Sequence, residues 1–237
     1  MPDNQSLPFI NTEDLRLIVE KVLRTAQAAS DEAEERFYAN VVDPFSAIFD
    51  SFQQGITLGD WMKQERSRHM QKTLQNALGN FHQDVLGTLH GWEVLPLGSV
   101  VDVRNTSKKI IAEVKNKFNT TKGSDKKSIY DNLLSQINGQ YAGYTAYYVE
   151  VIPPTTTLYN KAFTPSDNIT HERRPTNENI RVIDGKSFYA LATDDPDALK
   201  KLYQVLPTII GDILQKPSSD IMDDDLFNRL FNLAYQE

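Results

Sequence analysis

The sequence predicts an α/β fold in which a mixed central β-sheet is flanked by helices and preceded by an N-terminal helical region. Up to about His90, apolar residues recur at the three- and four-residue spacing of amphipathic helices. After Gly91 the pattern changes to short segments rich in β-branched residues, separated by turn residues. One more amphipathic helix then precedes a further strand segment, and a strand–helix–strand succession favours a parallel pair.

The N-terminal region, residues 1–80, is expected to pack on the core as successive helices. Thr12 is a suitable N-cap for the first helix. Asp43-Pro44 opens the second helix with proline in its first turn, and Gly55 closes it. A third helix begins near Thr57 and runs to about Leu89, with Gly79 as a candidate break. The apolar stripe of the first helix comprises Leu15, Ile18, Val19, Val22 and Leu23.

The core is predicted over residues 81–237, in the order α-β-β-β-α-β. The first three strands are expected at Trp92–Leu97, Val100–Val103 and Ile110–Lys115. The helix is expected at Ser124–Tyr141 and the last strand at Tyr144–Ile152. A loop-rich insertion follows at about 153–183. A helix over Ala198–Ile213, interrupted around Pro207, and a last helix after Asp223 complete the chain. The last helix is a candidate interface in a homodimer, because its apolar face must pack on the core or on a second subunit; that face comprises Leu226, Phe227, Leu230 and Phe231.

Composition sets outer limits on the class of protein. The 237 residues suffice for one sizeable core, and the absence of cysteine excludes disulfides and thiolate metal sites. No run of about 18 apolar residues is present, so the expectation is a cytoplasmic protein without a membrane partner. The net charge of −7 is unevenly distributed, because Arg104–Lys127 holds eight basic and two acidic residues. That basic stretch favours a polyanionic partner, although a solvated surface is the commoner explanation.

The most informative segment is Val101–Lys115, VDVRNTSKKIIAEVK. Its polar centre predicts a β-hairpin, in which Asp102 lies opposite Ile111, or one step from it, beside Glu113. Because side chains alternate along a strand, Glu113 and Lys115 share one face and Val114 faces the other. Two carboxylates and an ammonium would then converge.

This combination suits a divalent cation and a phosphate. Asp102, Glu113 and the carbonyl of Val114 are hard oxygen ligands for Mg²⁺. Lys115 would orient the attacking water or stabilise negative charge in the transition state. The arrangement therefore favours phosphodiester hydrolysis, although Glu-x-Lys is also common on a solvated edge strand.

The motif Gly98-x-x-x-Asp102 followed by Ile111-x-Glu113-Val114-Lys115-Asn116-Lys117 resembles type II restriction endonucleases of the PD-(D/E)xK superfamily. With Ile183–Leu191 and Asp197–Pro207, it is similar to the group that cleaves GGNCC or GGWCC sites. Val101 stands where many members have proline. The resemblance implies a restriction-endonuclease-like αβββαβ core and Mg²⁺-dependent cleavage of double-stranded DNA to 5′-phosphate and 3′-hydroxyl ends. It also implies a homodimer and a cognate DNA methyltransferase.

Further residues are candidates for contacts with DNA or with the metal site. Arginine and asparagine can read guanine and adenine bidentately, although phosphate contacts are commoner. The candidates for DNA contact are Lys117, Asn119, Thr120 and Lys122 after the catalytic strand, and Arg173, Arg174, Asn177 and Arg181 in the insertion. On the helix entering the core, His82, Gln83 and Asp84 are candidate accessory residues. Two alternatives stay open, namely a structure-selective repair or recombination nuclease of the same superfamily and a non-catalytic DNA-binding protein.

Overall fold

The computed structural model describes residues 6–31, 42–121, 123–167, 170 and 172–235. Within these ranges the chain forms a six-stranded mixed sheet covered by helices on both faces, so the predicted α/β class and the N-terminal helical region are confirmed. No helix within these ranges has the length and the apolar run that crossing a membrane requires. The helices are α1 (Thr12–Asp31), α2 (Pro44–Gln54), α3 (Leu58–Thr88), α4 (Gly123–Asn138), α5 (Gly185–Thr193), α6 (Ala198–Leu214) and α7 (Asp224–Ala234).

The strands lie in the spatial order β1-β2-β3-β4-β6-β5. β1, β2 and β3 form an antiparallel meander, whereas β3, β4 and β6 run parallel and β5 closes the edge antiparallel to β6. Helix α4 connects β3 to the parallel strand β4, as predicted. The strands are β1 (Trp92–Val94), β2 (Val103–Asn105), β3 (Ile110–Lys117), β4 (Thr145–Ile152), β5 (Asn160–Ala162) and β6 (Ile180–Asp184).

Each face of the sheet has its own apolar core. Alternation along β3 sends Ile111 to the face covered by α4, where it packs in one cluster with Tyr130 and Leu133. Ala112 and Val114 point to the opposite face, into the cluster formed with α1, α3, α5, α6 and α7. The residues that follow Ile111 at two-residue steps, Glu113 and Lys115, therefore project on the α4 side.

Several predicted boundaries were wrong. β1 ends at Val94, and β2 begins only at Val103, because the intervening segment turns through Gly98 with φ at 89°. Helix α3 is continuous through Gly79. Helix α6 runs through Pro207, with Val205 and Ile209 buried on either side of the proline. The segment 153–183 is not loop throughout, because it supplies all of edge strand β5 and most of β6.

Candidate active site

The β2–β3 hairpin brings Asp102 beside Glu113. Val103 pairs with Ala112, so Asp102, just before β2, lies level with Glu113 on β3. The Asp102 amide donates to the Ala112 carbonyl at 2.9 Å, and the Val114 amide donates to Oδ2 of Asp102 at 2.7 Å. The expected register, opposite Ile111 or one step from it, was wrong, since Arg104 pairs with Ile111, but Asp102 does lie beside Glu113 as expected. A four-residue turn rather than a two-residue one causes this difference.

Glu113 and Lys115 lie on the same face of β3, as the alternation predicts. Nζ of Lys115 is 2.6 Å from Oε1 of Glu113, and both side chains are largely buried. Val114 points into the core on the other face, with 2% of its surface exposed. The two carboxylates and the ammonium therefore form one compact cluster at the point where β2 and β3 separate.

Electrostatic strain is concentrated on Asp102. Burial, followed by the charge of Glu113, raises the pKa of Asp102 to about 6, although the Val114 amide and Lys115 oppose the increase. Burial lowers the pKa of Lys115, but the hydrogen bond to Glu113 and the charges of Glu113 and Asp102 outweigh it and leave that pKa raised. Lys115 is therefore an ammonium at neutral pH, next to two closely spaced acids.

The donor set fits a hard divalent cation. In a strand, the amide and the carbonyl of one residue point to the same side, so the Val114 carbonyl faces the same gap as Oδ2 of Asp102. No cluster of three or more acidic, histidine or cysteine side chains able to hold a metal occurs among the described residues. Two carboxylates with one carbonyl, completed by water and phosphate oxygens, are the ligands that Mg²⁺ accepts.

Of the three accessory candidates on α3, the structure brings one to this cluster. Nε2 of Gln83 lies 3.5 Å from the Val114 carbonyl oxygen. Nδ1 of His82 is 2.9 Å from the Tyr189 hydroxyl, and burial lowers the pKa of His82 to about 4. Asp84 forms an ion pair with Lys21 at 2.6 Å on the surface between α3 and α1.

Strand β4 adds two neighbours that the sequence interpretation missed. Tyr148 pairs with Glu113 in the parallel register, and Glu150 pairs with Lys115. Buried Glu150 accepts hydrogen bonds from Lys126 at 2.5 Å and from the Tyr159 hydroxyl at 2.6 Å. The Tyr148 hydroxyl is buried beside Thr121 and Glu150. The sequence does contain a signal for this neighbour, because Glu150 stands inside the apolar run Tyr144–Ile152 and a buried carboxylate requires hydrogen-bond partners.

Comparisons with known proteins identify the family of this chain. The model of the Eco47II restriction endonuclease family matches residues 7–215. The type II restriction enzyme Eco47II of Escherichia coli is 42% identical over 97% of this chain and 98% of its own length. The type II restriction enzyme Sau96I of Staphylococcus aureus is 28% identical over 90% of this chain and 82% of its own. No solved structure matches. The chain belongs to the Eco47II restriction endonuclease family.

As a member of this family, the protein is a type II restriction endonuclease, so its other candidate residues can be compared with the requirements of a DNA-binding surface. Lys117 is exposed on the same face as Glu113 and Lys115. Asn119 and Thr120 lie in the exposed turn after β3, where the Thr120 hydroxyl donates to the Lys117 carbonyl at 2.7 Å. Lys122 lies outside the described residues. The three described residues thus continue the surface of the cluster.

Most of the candidate DNA-contact residues in the insertion instead contact other residues of the protein. Arg174 pairs with Asp131 on α4 at 2.7 Å. Arg181 is 2.6 Å from Oδ1 of Asn160, which ties β6 to β5. Oδ1 of Asn177 accepts the amide hydrogen of Asn179 at 2.9 Å. Arg173 is exposed, and Nη1 lies 3.5 Å from the Thr164 carbonyl, so its contact with the described residues is the weakest of the four candidates.

Among the described residues, the basic side chains between Arg104 and Lys127 do not form one patch. They lie at opposite ends of β3, and several have acidic partners. Lys108 pairs with Asp194 at 3.0 Å next to the hairpin turn, whereas Lys127 lies 3.5 Å from Asp167 on the α4 side. The positive charge counted along this stretch of sequence is therefore partly neutralised in the structure by acidic residues from other segments.

Proposed function

We propose that this endonuclease hydrolyses double-stranded DNA at a short palindromic GC-rich site, GGNCC or GGWCC. The convergence of Asp102, Glu113 and Lys115 on one side of β3 carries the proposal. Cleavage would be Mg²⁺-dependent and would leave 5′-phosphate and 3′-hydroxyl ends. The sequence specificity rests on the resemblance to the GGNCC and GGWCC group and on the similarity to Eco47II and Sau96I.

Asp102, Glu113 and the Val114 carbonyl would hold the metal ion. When bound, Mg²⁺ shields the charge of the scissile phosphate and activates a water molecule. Lys115 would act as a fixed positive charge toward the attacking water or the developing phosphate charge, because its raised pKa keeps it protonated. Gln83 would orient the Val114 carbonyl through its side-chain amide.

The remaining assignments follow from this activity. Lys117, Asn119, Thr120 and Lys122 would contact the DNA backbone near the cleaved bond, and Arg173 would contact DNA from the insertion. Arg174, Asn177 and Arg181, which were candidates for direct DNA contact, would instead shape that insertion through their contacts within the chain. Because cutting both strands of a palindrome requires two related active sites, the enzyme would act as a homodimer. A cognate methyltransferase would protect host DNA in the cytoplasm.

Digestion of unmethylated phage DNA, with Mg²⁺ or with EDTA, tests this function. Discrete fragments that require Mg²⁺ are expected, and end sequencing should place every cut within GGNCC. Duplexes with A·T or G·C at the central position then separate GGWCC from GGNCC. Intact DNA despite many GGNCC sites would contradict the specificity. Cleavage restricted to branched or damaged duplexes would indicate a repair nuclease, and binding without any cleavage would indicate a non-catalytic protein.

A further inference from the structure

Helix α2 exposes a continuous apolar stripe far from the candidate active site in the sequence. Phe45, Ile48, Phe49 and Phe52 follow the i, i+3, i+4, i+7 spacing, so they lie on one side of the helix. They are exposed to 72, 51, 75 and 86%, respectively. The opposite side, with Ala47 and Ser51 buried, packs on the beginning of α3. Such a row of exposed phenylalanines is a feature of interaction surfaces rather than of free ones.

The stripe is held in place by well-formed helix ends. The Asp43 side chain accepts hydrogen bonds from the amides of Phe45 and Ser46, at 2.9 and 3.3 Å. Gly55 closes the helix in the left-handed conformation with φ at 64°. Nε1 of Trp61 donates to Asp50 at 3.2 Å and fixes α2 against α3. The apolar surface is therefore prepared before any partner binds, which lowers the entropic cost of association.

The size of the stripe matches what a homodimer requires. Four side chains contribute to it, namely Phe45, Ile48, Phe49 and Phe52. At about 200 Å² for a fully exposed phenylalanine and slightly less for isoleucine, they present roughly 550 Å² per copy. A standard interface buries about 800 Å² per partner, so the stripe supplies most of one.

The chemistry of α2 argues against other occupants. The helix contains no lysine or arginine, so it offers no cation of its own to the phosphates of DNA. An anionic lipid surface is disfavoured for the same reason, because interfacial helices carry basic residues on the polar side. A second copy presents the same uncharged apolar side chains, and identical amphipathic helices can pack against each other across a two-fold axis.

A second exposed stripe, on α7, is the competing surface. It consists of Leu226, Leu230 and Leu233, exposed to 51, 53 and 66%. It is smaller than the α2 stripe and contains no aromatic residue. Leu230 also lines a cavity of about 330 Å³ between α7 and the core, so part of this side already belongs to the protomer.

We propose that the α2 stripe, rather than α7, is the interface through which two copies of this enzyme form its homodimer. The inference rests on the proposed function, in which two active sites cut the two strands of a palindrome. It assigns the dimer contact to Phe45, Ile48, Phe49 and Phe52, none of which belongs to the candidate active site.

Sedimentation velocity of the full chain tests the interface. Phe49→Glu places a charge at the centre of the stripe and is expected to weaken self-association at least about thirtyfold, as for a hot-spot residue. Phe49→Leu should retain the dimer. Leu233→Glu is the matched control, because it charges the α7 stripe and should leave the dimer intact. Circular dichroism verifies that each variant folds.

Plasmid cleavage separates this inference from the proposed function. The dissociated Phe49→Glu variant should nick supercoiled plasmid, or cut it slowly, where the parent linearises it. Dimers that persist in Phe49→Glu, or dissociate in Leu233→Glu, would overturn the α2 assignment. So would a monomeric parent, whether or not it cleaves DNA. A dimer lost in Phe49→Glu although the parent shows no cleavage would support the interface and contradict the proposed function.

Discussion

At the scale of single residues, the central feature is the ion pair between Lys115 and Glu113. The ammonium lies 2.6 Å from a carboxylate that is also a proposed metal ligand. Binding of a cation by Glu113 would compete with this ion pair and make Lys115 available to a phosphate. Lysine suits this exchange because it is a compact charge on a flexible stem.

Replacing Lys115 tests its proposed role in the transition state. Lys115→Ala should lower the single-turnover cleavage rate on the order of 10²–10³-fold, as expected for the loss of one charge-stabilising group. DNA affinity, measured by fluorescence anisotropy, should change far less. Lys115→Arg is the control, because it keeps the charge and alters its geometry. A Lys115→Ala variant that cleaves like the parent would exclude this role.

The raised pKa of Asp102 predicts a conflict between stability and function. Its value of about 6 in the folded protein lies above 3.8 in the unfolded chain. The stability that depends on this group is therefore fully present below pH 3.8 and is lost as pH rises through about 6. Asp102→Asn removes that loss and keeps an oxygen for the Val114 amide.

At neutral pH without metal, Asp102→Asn should raise the free energy of unfolding by about 1–2 kcal/mol, after allowance for solvent that reaches this carboxyl. Urea unfolding measures it, and the advantage should shrink as the pH approaches 4. Mg²⁺ should stabilise the parent and not the variant. A variant less stable than the parent at neutral pH would show that the carboxylate is not strained.

At the scale of secondary-structure elements, the insertion before β6 separates structural from exposed arginines. Arg174→Ala should lower the free energy of unfolding by roughly 0.5–1 kcal/mol, because the half-exposed Asp131 loses its partner at 2.7 Å and keeps only Lys127 at 3.8 Å. Arg173→Ala should leave stability within about 0.5 kcal/mol of the parent. It should instead weaken DNA binding and reduce the salt dependence by about one charge. Loss of DNA binding in a stable Arg174→Ala variant would reverse the assignment.

The junction between β6 and α5 depends on Gly185. A methyl group there would lie 2.7 Å from the Cα of Val151 on β4, so the strand and the helix could not keep their contact. Gly185→Ala should cost about 3 kcal/mol or more in thermal unfolding. Gly79→Ala is the control, because α3 leaves open space at that position and alanine should stabilise it by up to about 1 kcal/mol. Equal melting temperatures for the two variants would contradict this packing.

These elements also show what sequence reasoning can and cannot reach. The alternation of side chains along the strand after Ile111 predicted that Glu113 and Lys115 share one face. Successive side chains of a strand between two layers must point to opposite layers, so this part of the prediction did not depend on the partner strand. The register of Asp102 was missed, because it depends on the length of the hairpin turn. The pairing of Arg174 with Asp131 was equally inaccessible, since those residues are 43 positions apart.

At the scale of the whole molecule, the sheet divides the tasks of the protein. One face, packed on α1, α3 and the C-terminal helices, supplies most of the core. The other face carries Ile111 in the α4 core and then, along the same strand, Glu113 and Lys115. No residue of the α2 stripe belongs to either buried cluster, so the proposed dimer contact uses side chains that the core does not need.

The central claim is that Asp102, Glu113 and Lys115 form the catalytic centre of a metal-dependent endonuclease. The most direct measurement is single-turnover cleavage of an unmethylated GGWCC duplex with Mg²⁺, comparing the parent with Glu113→Gln. We expect discrete cleavage by the parent and at least about a thousandfold loss in the variant, with folding and DNA binding retained. A Glu113→Gln variant that cleaves within tenfold of the parental rate would show that Glu113 is not part of the catalytic centre.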